Sequence, residues 1–149
     1  AMTNDRVAVA LPGPPRLVVL DDAGRSIAEH PLDVPAADLR AGPPGGVAAV
    51  SPGAGMSYWF TGSATVALEG TNLRPLWRVP GTLGPGTLLA GRLLVPVPAG
   101  LAVLDATSGE RLDLFPVDRG TWTGPVRTDT VGDVVLEQRG DILVALRAP

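Results

Sequence analysis

The chain alternates short apolar blocks with clusters of glycine and proline, and no long window places apolar residues at helical spacing. One weak helical pattern, Ala36–Arg40, is long enough for a single turn at most. Short apolar runs bounded by turn residues are typical of β-strands joined by tight connections, so we predict an all-β fold. The predicted strands are Arg6–Leu11, Arg16–Leu20, Val47–Val50, Ser57–Thr61, Thr65–Leu68, Thr87–Ala90, Arg92–Val97, Leu101–Leu104, Arg111–Phe115, Val126–Asp129, Asp133–Gln138 and Ile142–Arg147.

Two segments carry hairpin signals. Val97–Leu101 and Gln138–Ile142 each place a turn containing glycine between two runs that are rich in leucine or β-branched residues. Such a turn lets neighbouring strands fold back on each other. We therefore expect antiparallel pairing across both segments.

One pattern recurs four times along the chain. Each copy has an apolar strand with a leucine at its end, and in the first three copies an acidic residue and a turn with glycine or asparagine follow. The mean spacing of these leucines is about 42 residues, within the roughly 40–45 residues of a four-stranded propeller blade. An outer strand, such as Leu73–Val79 or Arg111–Phe115, completes the unit. The aligned leucines are Leu20, Leu68, Leu104 and Leu146, and we predict one domain, residues 1–149, with repeats at approximately 5–33, 45–80, 81–118 and 119–149.

The acidic residue at the end of each strand has a structural explanation. Asp21, Glu69 and Asp105 can each accept hydrogen bonds from backbone N–H groups of the turn that follows. Glycine or asparagine then supplies the left-handed position of that turn. We therefore interpret these carboxylates as turn formers and not as a cation site or a catalytic group.

Composition narrows the possible chemistry. Glycine (19) and proline (16) are abundant, yet 45% of the residues are hydrophobic, which favours a packed domain over disorder. The chain has no cysteine, which excludes thiol catalysis, thiolate metal sites and disulfides. All 12 basic residues are arginine, which excludes a Schiff-base lysine and a Walker-type phosphate loop. The net charge of -3, without any basic run, argues against a nucleic-acid surface.

His30 is the only histidine, and it has no serine in a G-x-S-x-G turn to act with. Asp21 and Asp22 are adjacent, so their side chains diverge if the strand continues. No calcium loop, zinc-protease motif or dinucleotide-binding motif is present. We therefore predict no catalytic residue, no metal site and no cofactor, and we expect that the protein is not an enzyme.

Targeting signals were considered separately. The uncharged stretch Ala41–Leu68 is long enough to span a bilayer, but its glycines and prolines would break a helix, so we read it as loop and strands. Ala1–Leu11 lacks the basic and apolar regions of a signal peptide. Ala1 before Met2 indicates a cloning remnant. Either Met2 starts a small cytoplasmic protein, or the chain is a piece of a longer one whose anchor or signal lies elsewhere.

The segment Ala67–Trp77 resembles the tryptophan-docking repeat of the PQQ-like, or quinoprotein-type, β-propellers, whose usual form is A-L-D-A-x-T-G-x-x-x-W. Ala67, Leu68 and Trp77 match that form in register. Val103–Glu110 matches its front half, with Asp105 and Gly109 in place, but Asp113 occupies the tryptophan position. The first copy is shorter, with Gly24 one residue early, and the last copy stops at Arg147.

This resemblance implies an all-β, PQQ-like β-propeller-type fold of about four blades, either a partial propeller or a small compact one. In that family the repeat tryptophans dock one blade onto the next, so Trp77 is expected to have a packing role. Quinoprotein dehydrogenases hold their quinone with a full ring of blades, a calcium site and a cysteine pair, so the cofactor is not expected here. Unpaired sheet edges are a liability, which makes self-association through them an expectation.

Candidate partner-binding residues come from the remaining aromatic and arginine side chains. Tyr58 and Trp59 point to opposite faces of a strand, so we expect at least one of them at the surface. Trp122 lies between glycines in a predicted loop and is the aromatic expected to be most exposed. Arginine with tryptophan is a composition typical of interaction hot spots. The predicted partner-binding residues are Tyr58, Trp59, Trp122, Arg119, Arg127 and Arg139.

We therefore expect a non-catalytic interaction or scaffold domain that binds another protein. The exclusive use of arginine and the excess of alanine, glycine, proline and valine indicate a high-GC actinobacterial source, and analogy with scaffold-type relatives of the repeat indicates the extracytoplasmic part of a membrane-anchored envelope protein. The alternative is a propeller that binds a sugar or another small polar molecule, or acts on it, in a central pocket. A polar pocket holding His30 or several carboxylates would favour the alternative, and an apolar centre with an exposed Trp122 would favour the scaffold.

Overall fold

The structure is a computed structural model, and it describes residues 7–12, 14–31, 47–51, 56–69, 74–84 and 86–147. Within these ranges all regular secondary structure is β, with no helix. The helical turn expected at Ala36–Arg40 lies outside the described residues. The strands are β1 (Val7–Pro12), β2 (Pro15–Leu20), β3 (Ser26–Pro31), β4 (Val47–Ser51), β5 (Met56–Phe60), β6 (Ala64–Glu69), β7 (Pro75–Pro80), β8 (Thr87–Leu89), β9 (Arg92–Val97), β10 (Gly100–Asp105), β11 (Arg111–Pro116), β12 (Arg127–Val131), β13 (Val134–Arg139) and β14 (Ile142–Arg147).

Consecutive strands form four separate antiparallel sheets in this part of the chain. The first sheet is β1-β2-β3, the second β4-β5-β6-β7, the third β8-β9-β10-β11 and the fourth β12-β13-β14. Every strand pairs with its neighbour in the chain, so each sheet is a simple meander. The all-β fold of about four blades that the sequence predicts is confirmed. One strand, β3, is absent from the predicted set.

Tight turns join the strands where the sequence predicts them. The predicted hairpins at Val97–Leu101 and Gln138–Ile142 are confirmed as the β9–β10 and β13–β14 connections. Between β8 and β9 the chain reverses over Ala90 (φ 49°) and Gly91 (φ 77°). Two successive residues with positive φ form the turn type that matches the twist of paired strands.

The second, third and fourth sheets stack face to face in chain order. Their first strands, β4, β8 and β12, lie side by side, as the inner strands of propeller blades do around an axis. One apolar cluster fills the space between the second and third sheets and includes Tyr58, Ala67, Leu93 and Leu104. A second cluster fills the space between the third and fourth sheets and contains Leu94, Leu101, Val103 and Val135.

The repeated leucines occupy equivalent places in these sheets. Leu20, Leu68, Leu104 and Leu146 lie in β2, β6, β10 and β14, and in the first three sheets this strand precedes the outermost one. The register also reveals what the end sheets lack among the described residues. The first sheet has no counterpart of the inner strands β4 and β8, and the fourth has no counterpart of the outer strands β7 and β11.

Candidate interaction surfaces

The β5 aromatics lie in the interior of the domain. Tyr58 is 1% exposed and Trp59 is 3% exposed, because sheets or their connections cover both faces of β5. The expectation that one of these two side chains reaches the surface is therefore wrong. Strand alternation was the correct geometry, but it identifies a solvent face only when one side of the sheet is open.

Tyr58 and Trp77 anchor the second sheet on the turn that follows β10. The Tyr58 hydroxyl and the Trp77 Nε1–H both donate to the carbonyl oxygen of Ala106, at 3.0 and 3.3 Å. Their ring centroids are 5.7 Å apart. The indole lies so close to Gly109 that a Cβ there would come within 2.6 Å of Trp77 Cδ2. The packing role expected for Trp77 is confirmed.

The turn below this contact is built by Asp105, as the sequence predicts. Its Oδ1 accepts hydrogen bonds from the backbone N–H groups of Thr107 (2.9 Å) and Ser108 (2.8 Å). These bonds, with Ser108 first, lower the pKa of Asp105 below its ordinary value. Burial, followed by the negative charge of Asp105, raises the pKa of Tyr58, which therefore keeps its proton and donates it.

The other two strand-end carboxylates also bind their own turns. Asp21 Oδ1 accepts from the backbone N–H groups of Arg25 (2.8 Å) and Ala23 (3.0 Å), and the Arg25 bond is the main cause that lowers the pKa of Asp21. Glu69 differs, since its Oε2 accepts from Arg74 Nε at 3.0 Å. The turn that includes Asn72 lies outside the described residues. Asp21 and Asp105 therefore have the turn-forming role that the repeat predicts.

Three charged side chains form a buried network between the third and fourth sheets. Arg119 Nε and Nη2 donate to Glu137 Oε1 and Oε2, both at 2.8 Å, and Arg139 Nε donates to Glu137 Oε1 at 2.6 Å. Arg119 also donates to the carbonyl oxygens of Val97 and Gly100 in the β9–β10 turn. The side chains of Arg119 and Glu137 are 4% and 0% exposed.

This network corrects two predicted site residues. The surface location expected for Arg119 and Arg139 is wrong, because both guanidinium groups are used inside the domain to neutralise one carboxylate. Burial alone raises the pKa of Glu137, but the hydrogen bonds and charges of Arg119 and Arg139 outweigh it, so the pKa lies below its ordinary value. The signal that was available in the sequence is the glutamate within the apolar strand β13, which demands buried partners.

Trp122 and Arg127 lie on either side of the connection into β12. Trp122 is half-buried and not exposed as expected, since its ring covers Gly140 and Gly124. Its Nε1–H is buried and has no hydrogen-bond partner among the described residues. Arg127 is exposed on β12. Of the six predicted partner-binding residues, Arg127 is therefore the one with a fully accessible side chain.

The outward face of the fourth sheet is the apolar surface that the sequence prediction missed. In β14, Leu143 and Ala145 lie two residues apart on the side that faces away from the third sheet, and Leu143 is 65% exposed. Val131 of β12 is 64% exposed and Leu136 of β13 lies between them. We call this set, Val131, Leu136, Leu143 and Ala145, the open face. The missed signal was the leucine pattern of the last repeat, which matches a buried strand.

A cleft of about 490 Å³ separates the first sheet from the second. Apolar side chains make up most of its wall, among them Val66, Leu68 and Leu76, while His30 and Arg78 also line it. No carboxylate is among its lining residues, and the described part of the chain contains no group of three or more potential metal ligands. His30 therefore lines an apolar groove between sheets and does not sit in a convergent polar site.

Among the residues that the structure describes, none forms a helix with the length and hydropathy needed to cross a bilayer.

No protein-family model matches the chain, and no curated protein matches it. Among solved structures, BamB from Moraxella catarrhalis is similar, with a TM-score of 0.66 and 19% sequence identity over 98% of this chain. The match covers 43% of BamB, so the chain spans less than half of that protein's length. Likeness at this level of identity concerns the fold. The four stacked sheets and this match agree that the chain has the fold of a partial β-propeller.

Proposed function

We propose that the protein is a non-catalytic interaction domain that binds another polypeptide through the open face of its fourth sheet. The observation that carries the proposal is the contrast between equivalent positions in consecutive sheets. Leu101 and Val103 of β10 are 3% and 5% exposed because the fourth sheet covers them, whereas Leu143, at the position equivalent to Leu101, is 65% exposed. An apolar side chain left in water at a packing position favours a binding surface.

The surroundings of the open face fit a protein partner. Arg127, Asp129 and Arg147 are exposed on the same side of the sheet and give it a charged rim. An apolar centre with a polar rim is the general anatomy of a protein interface. The partner-binding role predicted for Arg127 is kept within this proposal, at the rim.

Two finer parts of the proposal rest on the sequence. The repeat resembles those of PQQ-like propellers, and the domain is proposed to belong to the extracytoplasmic part of an actinobacterial envelope protein. Fractionation of source cells tests this location. Recovery in the envelope fraction, with digestion by an external protease after removal of the outer layers, supports it, and recovery in the cytoplasm contradicts it.

Site-specific photo-crosslinking tests the binding surface. A photoreactive amino acid replaces Leu143 in the open face or, as the matched control, Leu112, which is 45% exposed on the outer strand β11. We expect cross-links to a polypeptide in cells from position 143 and none from position 112. Equal labelling from both positions, or none from 143, contradicts the proposal.

A further inference from the structure

We infer that the polypeptide bound by the open face is a second copy of this chain, whose first sheet packs on it and closes a two-copy ring of eight sheets. This inference rests on the proposed function, since it names the occupant of the same surface. It starts from what the repeat already does inside one chain. Each of two internal faces receives the next sheet of the same kind.

The open face has the composition of a face that receives such a sheet. The β10 side chains Leu101 and Val103 contact Val135 and the half-buried Leu146 of the following sheet. Aligning Leu104 with Leu146 puts Leu143 in the place of Leu101 and Ala145 in the place of Val103. The fourth sheet therefore offers the same seat as the third, with aliphatic side chains at the same register.

The complementary face also exists in the same chain. In the first sheet, Val18 lies two residues before Leu20, as Ala102 lies two residues before Leu104, so it is on the side that points away from the second sheet. Its cross-strand neighbour Glu29 is on that side too and forms an ion pair with Arg16 at 3.4 Å. No further sheet of the described residues packs there.

Size and charge favour a second copy as the occupant. The four sheets correspond to 43% of a propeller of the size of BamB, so two copies supply about one full circle. A half circle turned by a two-fold rotation brings the fourth sheet of each copy against the first sheet of the other, and such a ring closes without leaving a free end. Glu29, half of whose side chain is exposed, would then face the rim that carries Arg127 and Arg147.

The absence of cysteine makes a direct test of this pairing possible. Two single-cysteine variants, Leu143→Cys and Glu29→Cys, are purified, mixed in equal amounts and treated with a short bismaleimide. We expect cross-linked dimers in the mixture and little cross-linking of either variant alone, because the two positions lie on opposite partners of each interface. Efficient linking of Leu143→Cys to itself, or equal linking by a Leu112→Cys control, overturns the inference.

The mass in solution gives the second readout. Light scattering after size-exclusion chromatography should give twice the monomer mass of 15.3 kDa for the natural chain and no larger species. Leu143→Glu, which places a charge in the interface, should raise the dissociation constant by about tenfold or more, whereas Leu112→Glu should leave it unchanged. Circular dichroism confirms that each variant is folded. A dimer that Leu143→Glu does not weaken overturns the inference.

The failure of this inference can be told apart from the failure of the proposed function. A natural chain that stays monomeric at high concentration overturns the two-copy ring. If photo-crosslinking at position 143 then captures a different protein, the interaction domain stands with another occupant. If it captures nothing, both are overturned.

Discussion

Arg119 and Glu137 form a two-fold hydrogen-bonded ion pair across the boundary between the third and fourth sheets, with both nitrogen-to-oxygen distances at 2.8 Å. Replacing Glu137 by glutamine should strongly destabilise the domain, because it leaves the charges of Arg119 and Arg139 buried without a counter-charge. Breaking a buried pair in this way costs about 3–5 kcal/mol. The midpoint of urea unfolding measures the loss.

Glu110→Gln is the matched control for that substitution. Glu110 is exposed just before β11, so its change should alter the free energy of unfolding by less than about 0.5 kcal/mol. Equal destabilisation by the two variants would contradict the role assigned to the buried network.

The stability of the domain should fall in acid, partly through Glu137. Its pKa in the folded chain is held below the ordinary value of 4.5, so the unfolded chain binds its proton first as the pH falls. The stabilisation is complete above that ordinary value and is lost as the pH drops through the folded pKa. Unfolding curves between neutral pH and the acid limit should therefore be less steep in pH for Glu137→Gln than for the natural chain. Asp21 and Asp105, whose pKa values are also lowered, account for acid dependence that remains.

Gly109→Ala should separate steric fit from backbone conformation. Gly109 has φ 73° and lies against the Trp77 ring, whereas Gly91 has φ 77° and open space where a Cβ would be. Both alanine variants should lose about 1–2 kcal/mol from the left-handed backbone. Gly109→Ala should lose about 1–3 kcal/mol more, because the indole has to move. Equal losses in chemical unfolding would show that the ring does not rely on this space.

The shared acceptor at Ala106 predicts non-additive variants. Tyr58→Phe and Trp77→Phe each remove one of two donors to the Ala106 carbonyl, and a lost hydrogen bond costs about 0.5–1.5 kcal/mol. The double variant leaves that carbonyl without either donor, so its loss should exceed the sum of the single losses. A double-mutant cycle built on unfolding free energies measures the difference. Simple additivity would mean that water replaces both donors.

Much of the fold follows from local pattern. The leucine-centred repeat predicts four sheets because each copy contains an apolar strand, a carboxylate that closes the next turn, and a glycine at its left-handed position, all of which are local requirements. Trp77 could be assigned to packing because the tryptophan has a fixed place in the repeat. The strand β3 was missed because Ser26–Pro31 has weak apolar character: of its residues, Ile27, Glu29 and Pro31 are exposed.

The interaction residues were harder to predict, because exposure depends on what covers a strand. Tyr58 and Trp59 look like surface aromatics in sequence, but sheets or their connections lie on both sides of β5. Arg119 looks like a surface cation, but its partner is 18 positions away on another strand. The reverse error occurred at Leu143, which has the pattern of a core leucine and lies in water. Each of these outcomes depends on the stacking of sheets, which no short window of sequence encodes.

The seat of Trp77 on Gly109 has a consequence for how such chains can be recombined. The indole belongs to one repeat and the glycine to the next, so a crossover between β7 and β8 separates the ring from the gap that admits it. A crossover within a sheet keeps both on the same inherited fragment. Duplication or transplantation of units in this fold should therefore succeed with fragments that begin and end partway through a blade, and fail more often with whole blades.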